Sequence, residues 1–451
     1  MSIATEITRL QTAKANLKTS LEAKGATVSP DATLDSYPTI LDDVPVALLQ
    51  DKEVSVSGGT TVIEPDTGYT GMHSVTVTAS GGPVEEKTVN FIDYEGTIVA
   101  SYTGVEAQAL TALPDAPDHS GDEVPLTFDE WNWTLAEIKS YNTSYPEAII
   151  WVGANYHTTD GKIHLFYRIP DNDINGVAFT LQDTGTVDWG DGSAVESFPS
   201  SGANHVYSQA GRYHCTVERS ASANKIVCGA GSASSTQTYL KLERLFLPTW
   251  VIHFSCRFVY WLQAVSMPSS LISFETCDSG IIGLAVPRGV TALYDSYHVY
   301  MESLRIVSLP PTLTTIQGYA LRYNPSLKGI TIPPNITVLN TKTFSGDNSL
   351  FNIVIPQGVT EIGQEAFSSC LSFSCIRIPS SVVSIGSGAF SGCYNMATVF
   401  VLATTPPTLA SSGGFNASYQ KHIYVPAESV EAYKADSNWS TLASIIEAIP
   451  S

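Results

Sequence analysis

A 23-residue period constrains this chain more than any other feature. Pro310, Pro333, Pro356 and Pro379 lie 23 residues apart, and each closes an element that reads apolar, variable, apolar, proline: Val307-Ser308-Leu309, Ile330-Thr331-Ile332, Ile353-Val354-Ile355 and Ile376-Arg377-Ile378. Earlier copies end at Pro248, Pro268 and Pro287. Later ones are Val399-Phe400-Val401, with Leu402 in the proline place, and Ile423-Tyr424-Val425-Pro426, so nine turns are legible. Eleven residues past each proline stand Leu321, Phe344, Phe367 and Phe390, and seventeen past stand Leu327, Leu350, Phe373 and Met396. No single repeat can cover these residues, so they bury one another only by stacking turn on turn, as solenoids do. Cys370 and Cys393 share one column and are expected to be stacked, buried thiols rather than a disulfide.

The same columns set a strand phase. With the residues three and one before each proline turned inward, those two before it point outward: Phe246, Ser266, Ala285, Ser308, Thr331, Val354, Arg377, Phe400 and Tyr424. A carboxylate in place of Ile355 is therefore expected to unfold neighbouring coils, and one in place of Thr331 to do little. Most of the outward row is small or aliphatic, and its last three members are large. Arg377, Phe400 and Tyr424, joined by Asn352, Thr398 and His422 from flanking outward positions, are the candidate ligand-binding residues, because aromatic and Arg side chains dominate hot spots and stack on sugar rings. The alternative is that the loop Thr404 to Tyr419 or a neighbouring subunit covers Phe400 and Tyr424.

The repeat, with Val359-Thr360-Glu361-Ile362-Gly363 and Ala366-Phe367-Ser368-Ser369-Cys370, resembles the BspA-type leucine-rich repeat of adhesins and surface proteins of host-associated bacteria and their phages. The resemblance implies a solenoid over residues 225–451. Its ending, Ala432-Tyr433-Lys434, Asn438-Trp439 and Ile445-Ile446, is similar to that family's cap, which a last coil needs to hide its apolar column.

Upstream, Ile3, Ile7, Leu10, Leu17 and Leu21 form a heptad stripe, with Lys14 in the seam, on a helix that stops at Gly25. This stripe can meet Leu34, Tyr37, Ile40 and Leu41 of its own chain, a second copy, or a larger assembly. Residues 1–45 are thus expected as a helical attachment segment and 46–82 as a small β-module with strands Glu53 to Val56 and Val75 to Thr78. Together they resemble N-terminal modules of phage tail and baseplate proteins, most specifically in Pro65-Asp66-Thr67-Gly68-Tyr69 followed by Val75-Thr76-Val77. Residues 83–170 open with strands on either side of the turn Glu95-Gly96, carry Phe128, Trp131 and Trp133, and read as a β-grasp-like α+β module. Residues 171–224 contain Asp188-Trp189-Gly190-Asp191-Gly192-Ser193, then His205-Val206-Tyr207 and Gly211-Arg212-Tyr213, and resemble the polycystic-kidney-disease (PKD) type β-sandwich. The two glycines permit positive φ, and the two aspartates can bond amides around the bend. Asp171-Asn172-Asp173-Ile174-Asn175-Gly176 begins like a calcium loop, but Gln182 stands where a bidentate Glu is needed, so an Asx-rich turn is expected and no metal.

Function classes narrow quickly. The 451 residues carry 23 Lys plus Arg against 43 Asp plus Glu, a formal charge of -20, which excludes a phosphate-neutralising surface for nucleic acid. No membrane-spanning run and no secretory signal are legible, so synthesis in the cytoplasm is expected. Phosphate-loop, nucleophile-elbow and zinc-protease motifs are absent. Acid pairs such as Asp129 with Glu130 or Glu361 with Glu365 can be nominated for hydrolysis, but adjacent acids on a strand face opposite ways and Glu361 and Glu365 fall in solvent-facing slots of the repeat, so no enzyme and no cofactor are expected. The whole is mainly β and multidomain. The resemblances imply a virion protein of a phage tail, baseplate or fibre, an oligomer attached to other virion proteins by its N-terminus and presenting the solenoid to a host cell-surface glycan or protein. The alternative is a bacterial cell-surface BspA-like adhesin.

Overall fold

The computed structural model describes residues 49–56, 71–79, 87–170, 177–181, 184–220, 224–228, 242–256, 259–276, 279–294, 300–351, 353–415, 420 and 422–450. Ile3, Ile7, Leu10, Leu17 and Leu21, the loop Asp171 to Gly176 and Asn352 lie outside them. The chain forms two compact units, Met1–Glu85 and Glu86–Ser451. In the first, Leu49–Val56 pairs in parallel with Gly71–Ala79, both strands longer than expected.

In the second unit, residues 87–158 make a four-stranded sheet in the order Ile98–Thr103, Lys87–Ile92, Ile150–Thr158, Leu126–Trp131, with a parallel central pair. Helices Gly104–Ala109 and Leu135–Ser144 each open on a capping box, Thr103 with Glu106 and Thr134 with Glu137, which satisfies amides that would otherwise be orphaned. Ala107, Ile138 and Tyr141 from the helices pack on Val89, Phe91, Ile150, Val152 and Ala154 of the sheet. This is the α+β arrangement.

The turn after Gly185–Asp188 is built as its residues require. Asp188 Oδ1 accepts from the Gly190 amide at 2.9 Å, Asp191 Oδ1 from the Ser193 amide at 3.0 Å, and both glycines hold positive φ. The two sheets around it do not end with residue 224. One runs Glu196–Phe198, Gly185–Asp188, Gly211–Arg219, Ile163–Ile169, Leu242–Phe246, Ala264–Ser266; the other runs Ala203–His205, Val177–Leu181, Lys225–Cys228, His253–Cys256, Ser273–Glu275. Antiparallel strands thus pass by hydrogen bonding into the parallel ladders of the solenoid. One apolar cluster continues from Ile163 to Ile446. The strands before residue 242 do for the first coil what a cap does for the last: they pair its edge and cover its core.

Later coils contribute short strands to two parallel ladders, the first of which is interrupted at residues 353–355. Gly283–Ala285, Ile306–Ser308 and Gly329–Ile330 make part of the first, and Cys375–Ile378, Thr398–Val401, His422–Val425 and Ile446–Ala448 make its continuation. Val338–Leu339, Glu361–Ile362, Ser384–Ile385 and Thr408–Leu409 make the second. The inward phase is as expected, with Ile353, Ile355, Ile376, Ile378, Val399 and Val401 buried. Phe344, Phe367, Phe390 and Phe415 stack as a spine with centroids 5.0 to 5.6 Å apart. Cys370 and Cys393 are free buried thiols, donating to Phe344 O at 3.2 Å and Phe367 O at 3.0 Å. At the end a single α-helix, Val430–Ala435, and a 3-10 turn lead into the strand Ile446–Ala448; Tyr433 and Trp439 anchor them on Ala403 O and Pro407 O, each at 2.8 Å.

Candidate functional site: the open end of the outward row

The outward row exists as its phase requires, but most of it does not meet solvent. Residues 126–158 lie across it. Asn132 Nδ2 donates to Val286 O at 2.9 Å and Ser308 O at 3.1 Å, while its Oδ1 accepts from Ser308 Oγ and the Gly153 amide. Trp133 Nε1 donates to Leu309 O, Asn155 to Ala285 O and Tyr141 OH to Ile332 O, all within 2.9 Å. Thr331 Oγ1 donates to Ile149 O and accepts from the Trp151 amide, each at 2.9 Å. Phe246, Ser266, Ala285, Ser308 and Thr331 are all buried, and Val354 packs on the same cover.

The small residues of the row are therefore an interface. At Gly153 the two surfaces come so close that a Cβ there would stand 2.5 Å from Ala285 Cβ. The expectation that Thr331 tolerates a carboxylate is corrected: it is 2% exposed, with its hydroxyl and its neighbours' amide and carbonyl already paired. Arg288 adds a two-pronged ion pair to Glu137 at 2.7 and 3.0 Å. Burial pushes the Glu137 carboxyl up, but Arg288 and Thr134 together hold it below the usual range.

The cover ends at Tyr145, whose hydroxyl accepts from the Gln357 amide at 2.9 Å. One coil later the row turns large. Arg377 is exposed, and its guanidinium lies over the Phe400 ring at 4.4 Å. Phe400 stacks on Tyr424 at 5.1 Å, and Tyr424 stacks on His422 at 5.6 Å with the rings 3° from parallel. His422 Nδ1 meets Glu447 Oε1 at 3.2 Å. Strand pairing sets this order: Arg377 opposes Phe400, Phe400 opposes Tyr424, and Tyr424 opposes Glu447, each one coil apart. The result is a strip of π-faces about three coils long, cationic at the Arg377 end and acidic at Glu447. Cys375 lies at the cationic end; burial raises its thiol and Arg377 partly offsets that.

Of the six sequence candidates, Arg377, Phe400, Tyr424 and His422 are thus brought together, Thr398 pairs with His422 in the same ladder, and Asn352 lies outside the described residues. Glu447 was missed because it follows the last recognisable repeat, and only the final strand's pairing puts it in line. Asp129 is held by His157 and by the Ser269 amide at 2.8 Å, and Glu365 pairs with Lys342 at 3.2 Å. Among the described residues no group of three or more His, Cys, Asp or Glu is arranged to hold a metal ion, and no helix is long and apolar enough to cross a membrane.

Comparison with known proteins bears on the repeat. A leucine-rich repeat protein from Bacteroides ovatus is 21% identical over 30% of this chain and 43% of its own, with a TM-score of 0.23. This chain therefore spans less than half the length of that protein. A leucine rich cell surface protein from Faecalibacterium prausnitzii is 16% identical over 51% of this chain and 91% of its own, with a TM-score of 0.22. No curated protein matches the chain. Residues 265–401 match the BspA type leucine rich repeat region in six copies, and the solenoid of this chain is built of BspA-type leucine-rich repeats.

Proposed function

We propose that this chain is a bacterial cell-surface adhesin of the BspA-like kind, which grips a surface glycan or protein through the strip Arg377, Phe400, Tyr424, His422 and Glu447. One observation carries the reading: from Ser266 to Thr331, where residues 126–158 cover it, the outward row is small, and it becomes aromatic and charged where the cover stops. Three stacked rings half open to solvent would be an aggregation hazard on a surface with no partner. Ring faces take the C–H face of a pyranose or an aliphatic chain, and the flanking Arg and Glu supply charge-assisted hydrogen bonds at either end. Oligomerisation, which multiplies weak contacts by avidity, suits the same role.

The comparisons support the repeat and not the phage-tail or PKD-like resemblances, so the bacterial surface takes precedence over the virion. Placement of the protein on a phage tail, with residues 1–45 as its attachment segment, is the second reading and rests on the N-terminal resemblance. Adsorption of the purified chain to candidate cells, compared with Arg377→Ala plus Tyr424→Ala at unchanged melting temperature, tests the strip; undiminished adsorption removes it. Antibody labelling of intact cells and of purified phage particles separates the two placements.

A further inference from the structure

Outside the strip, the turn that follows the second ladder has an unusual backbone. Nine residues past the proline stand Tyr319, Lys342, Glu365 and Gly388, and thirteen past stand Tyr300, Tyr323, Gly346, Ser369 and Gly392; every one of them has positive φ. The coil dictates this. In the left-handed conformation the amide turns along the solenoid axis and donates to the next coil, Tyr319 to Thr341 O, Lys342 to Gln364 O and Tyr323 to Ser345 O, all at 2.9 Å. Glycine adopts that conformation at least cost, and later coils use it at Gly346, Gly388 and Gly392. A bulky residue there is a genuine outlier, and such strain clusters where side chains have work to do.

Three tyrosines take these positions in adjacent coils, and they converge. Tyr300 stacks on Tyr323 at 5.1 Å and remains 48% exposed. Arg322 lies 4.0 Å over Tyr323 and 5.5 Å from Tyr319, donating to Tyr323 OH at 2.6 Å, while Lys342, 5.8 Å from the Tyr319 ring, is already paired with Glu365 at 3.2 Å. Gly346, with no Cβ, makes room for the Tyr323 ring in the next coil. Arg322 has no carboxylate partner among the described residues, and its Nε is buried without a hydrogen bond. The local charge is inverted as well: between residues 300 and 351, leaving aside Lys342 with its partner Glu365, three cations stand against two acids, one of them the buried Asp347, in a chain of net charge -20.

We infer that Tyr300, Tyr319, Arg322 and Tyr323 form a second binding site, for an anionic saccharide whose ring stacks on tyrosine and whose carboxylate or sulfate meets Arg322. It lies on a different turn of the coil from the aromatic strip and does not depend on it. The test titrates the full chain with an oligogalacturonate, a heparin-derived oligosaccharide and a neutral galactan oligomer of equal length. An anionic probe binds at least about tenfold more tightly than the neutral one and weakens with salt. Which probe binds identifies the acid group. Tyr300→Gly with Tyr323→Gly abolishes that binding and melts no lower than the parent, because glycine relieves the strained backbone. Arg377→Ala with Tyr424→Ala leaves it unchanged, which separates this site from the strip. Absence of any preference for the anionic probes overturns the inference, as does retained binding in the double-glycine variant. Should that variant melt lower, Arg322→Gln at unchanged melting decides: loss of the anion preference upholds the site and its retention refutes it.

Discussion

Two stretches of one sheet face behave oppositely. From Ser266 to Thr331 the outward row is roofed by residues 126–158; from Arg377 to Tyr424 it is open. Backbone pairing and inward phase are the same in both, so the difference lies only in the outward residues and in what meets them. A roof that approaches to backbone distance demands Ser, Ala and Thr, whose short polar groups also satisfy Asn132, Trp151 and their neighbours. Where no roof exists, size is unrestricted, and long side chains can stack along the ladder. Small outward residues thus report a close internal partner; large ones are free of such a roof, as at the strip, or meet a looser internal one, as Phe246 does against Tyr94 and Phe166.

The strongest way to break this comparison is to place the same charge on both halves. Thr331→Asp buries a carboxylate against paired carbonyls and should lower stability by about 3 kcal/mol or more, whereas Arg377→Asp on the open half should stay within about 1 kcal/mol. Equal losses in thermal unfolding would show that the two halves are not differently covered.

A second experiment asks whether the halves share one core. Asp347 is wholly buried in the coil between them, with Oδ1 accepting from the Asn324 amide at 2.7 Å and Oδ2 without a partner; burial drives its carboxyl well above the usual range. The folded state therefore keeps a proton that the unfolded chain gives up above about pH 4, and stability should fall by about 1.4 kcal/mol per pH unit from there up to the folded pKa. Asp347→Asn, which cannot ionise, should be the more stable at pH 8 and should flatten this slope. Melting curves at pH 5 and pH 8, read from the covered and the open half by separate probes, should shift together.

A smaller effect sharpens the roof itself. Gly153→Ala places a methyl against Ala285 and should cost about 1 to 3 kcal/mol by overpacking, with Ala285→Gly in the same chain restoring part of it. The smallest effect belongs to the open strip: Tyr424→Ala should change the melting free energy by less than about 1 kcal/mol while weakening adsorption.

Much of the site was legible because it repeats. Arg377, Phe400 and Tyr424 sit at one phase of a fixed period, so their common face followed from counting. The strained tyrosines were legible in principle too, since a column that mixes Tyr319, Lys342 and Glu365 with Gly388 marks a left-handed position. The roof was not: Asn132, Trp133 and Trp151 lie about 150 to 180 residues from Val286, Leu309 and Thr331, and no local spacing links them. The same holds for the sheet around the Asp188 to Ser193 turn, whose strand Ile163–Ile169 precedes that turn and carries the sheet on into the solenoid through Leu242–Phe246.

By itself, then, the amino-acid sequence determined the coil, its inward columns, its free thiol ladder and the identity of the side chains on its outer face. These are properties of nearest neighbours in a one-dimensional stack, where each repeat must satisfy only the turn above and the turn below. Tertiary structure alone decided which part of that face is interior, because burial there is set by a surface brought in from a distant part of the chain. Burial by such a surface depends on complementary shape and paired hydrogen bonds, and periodicity carries no record of either.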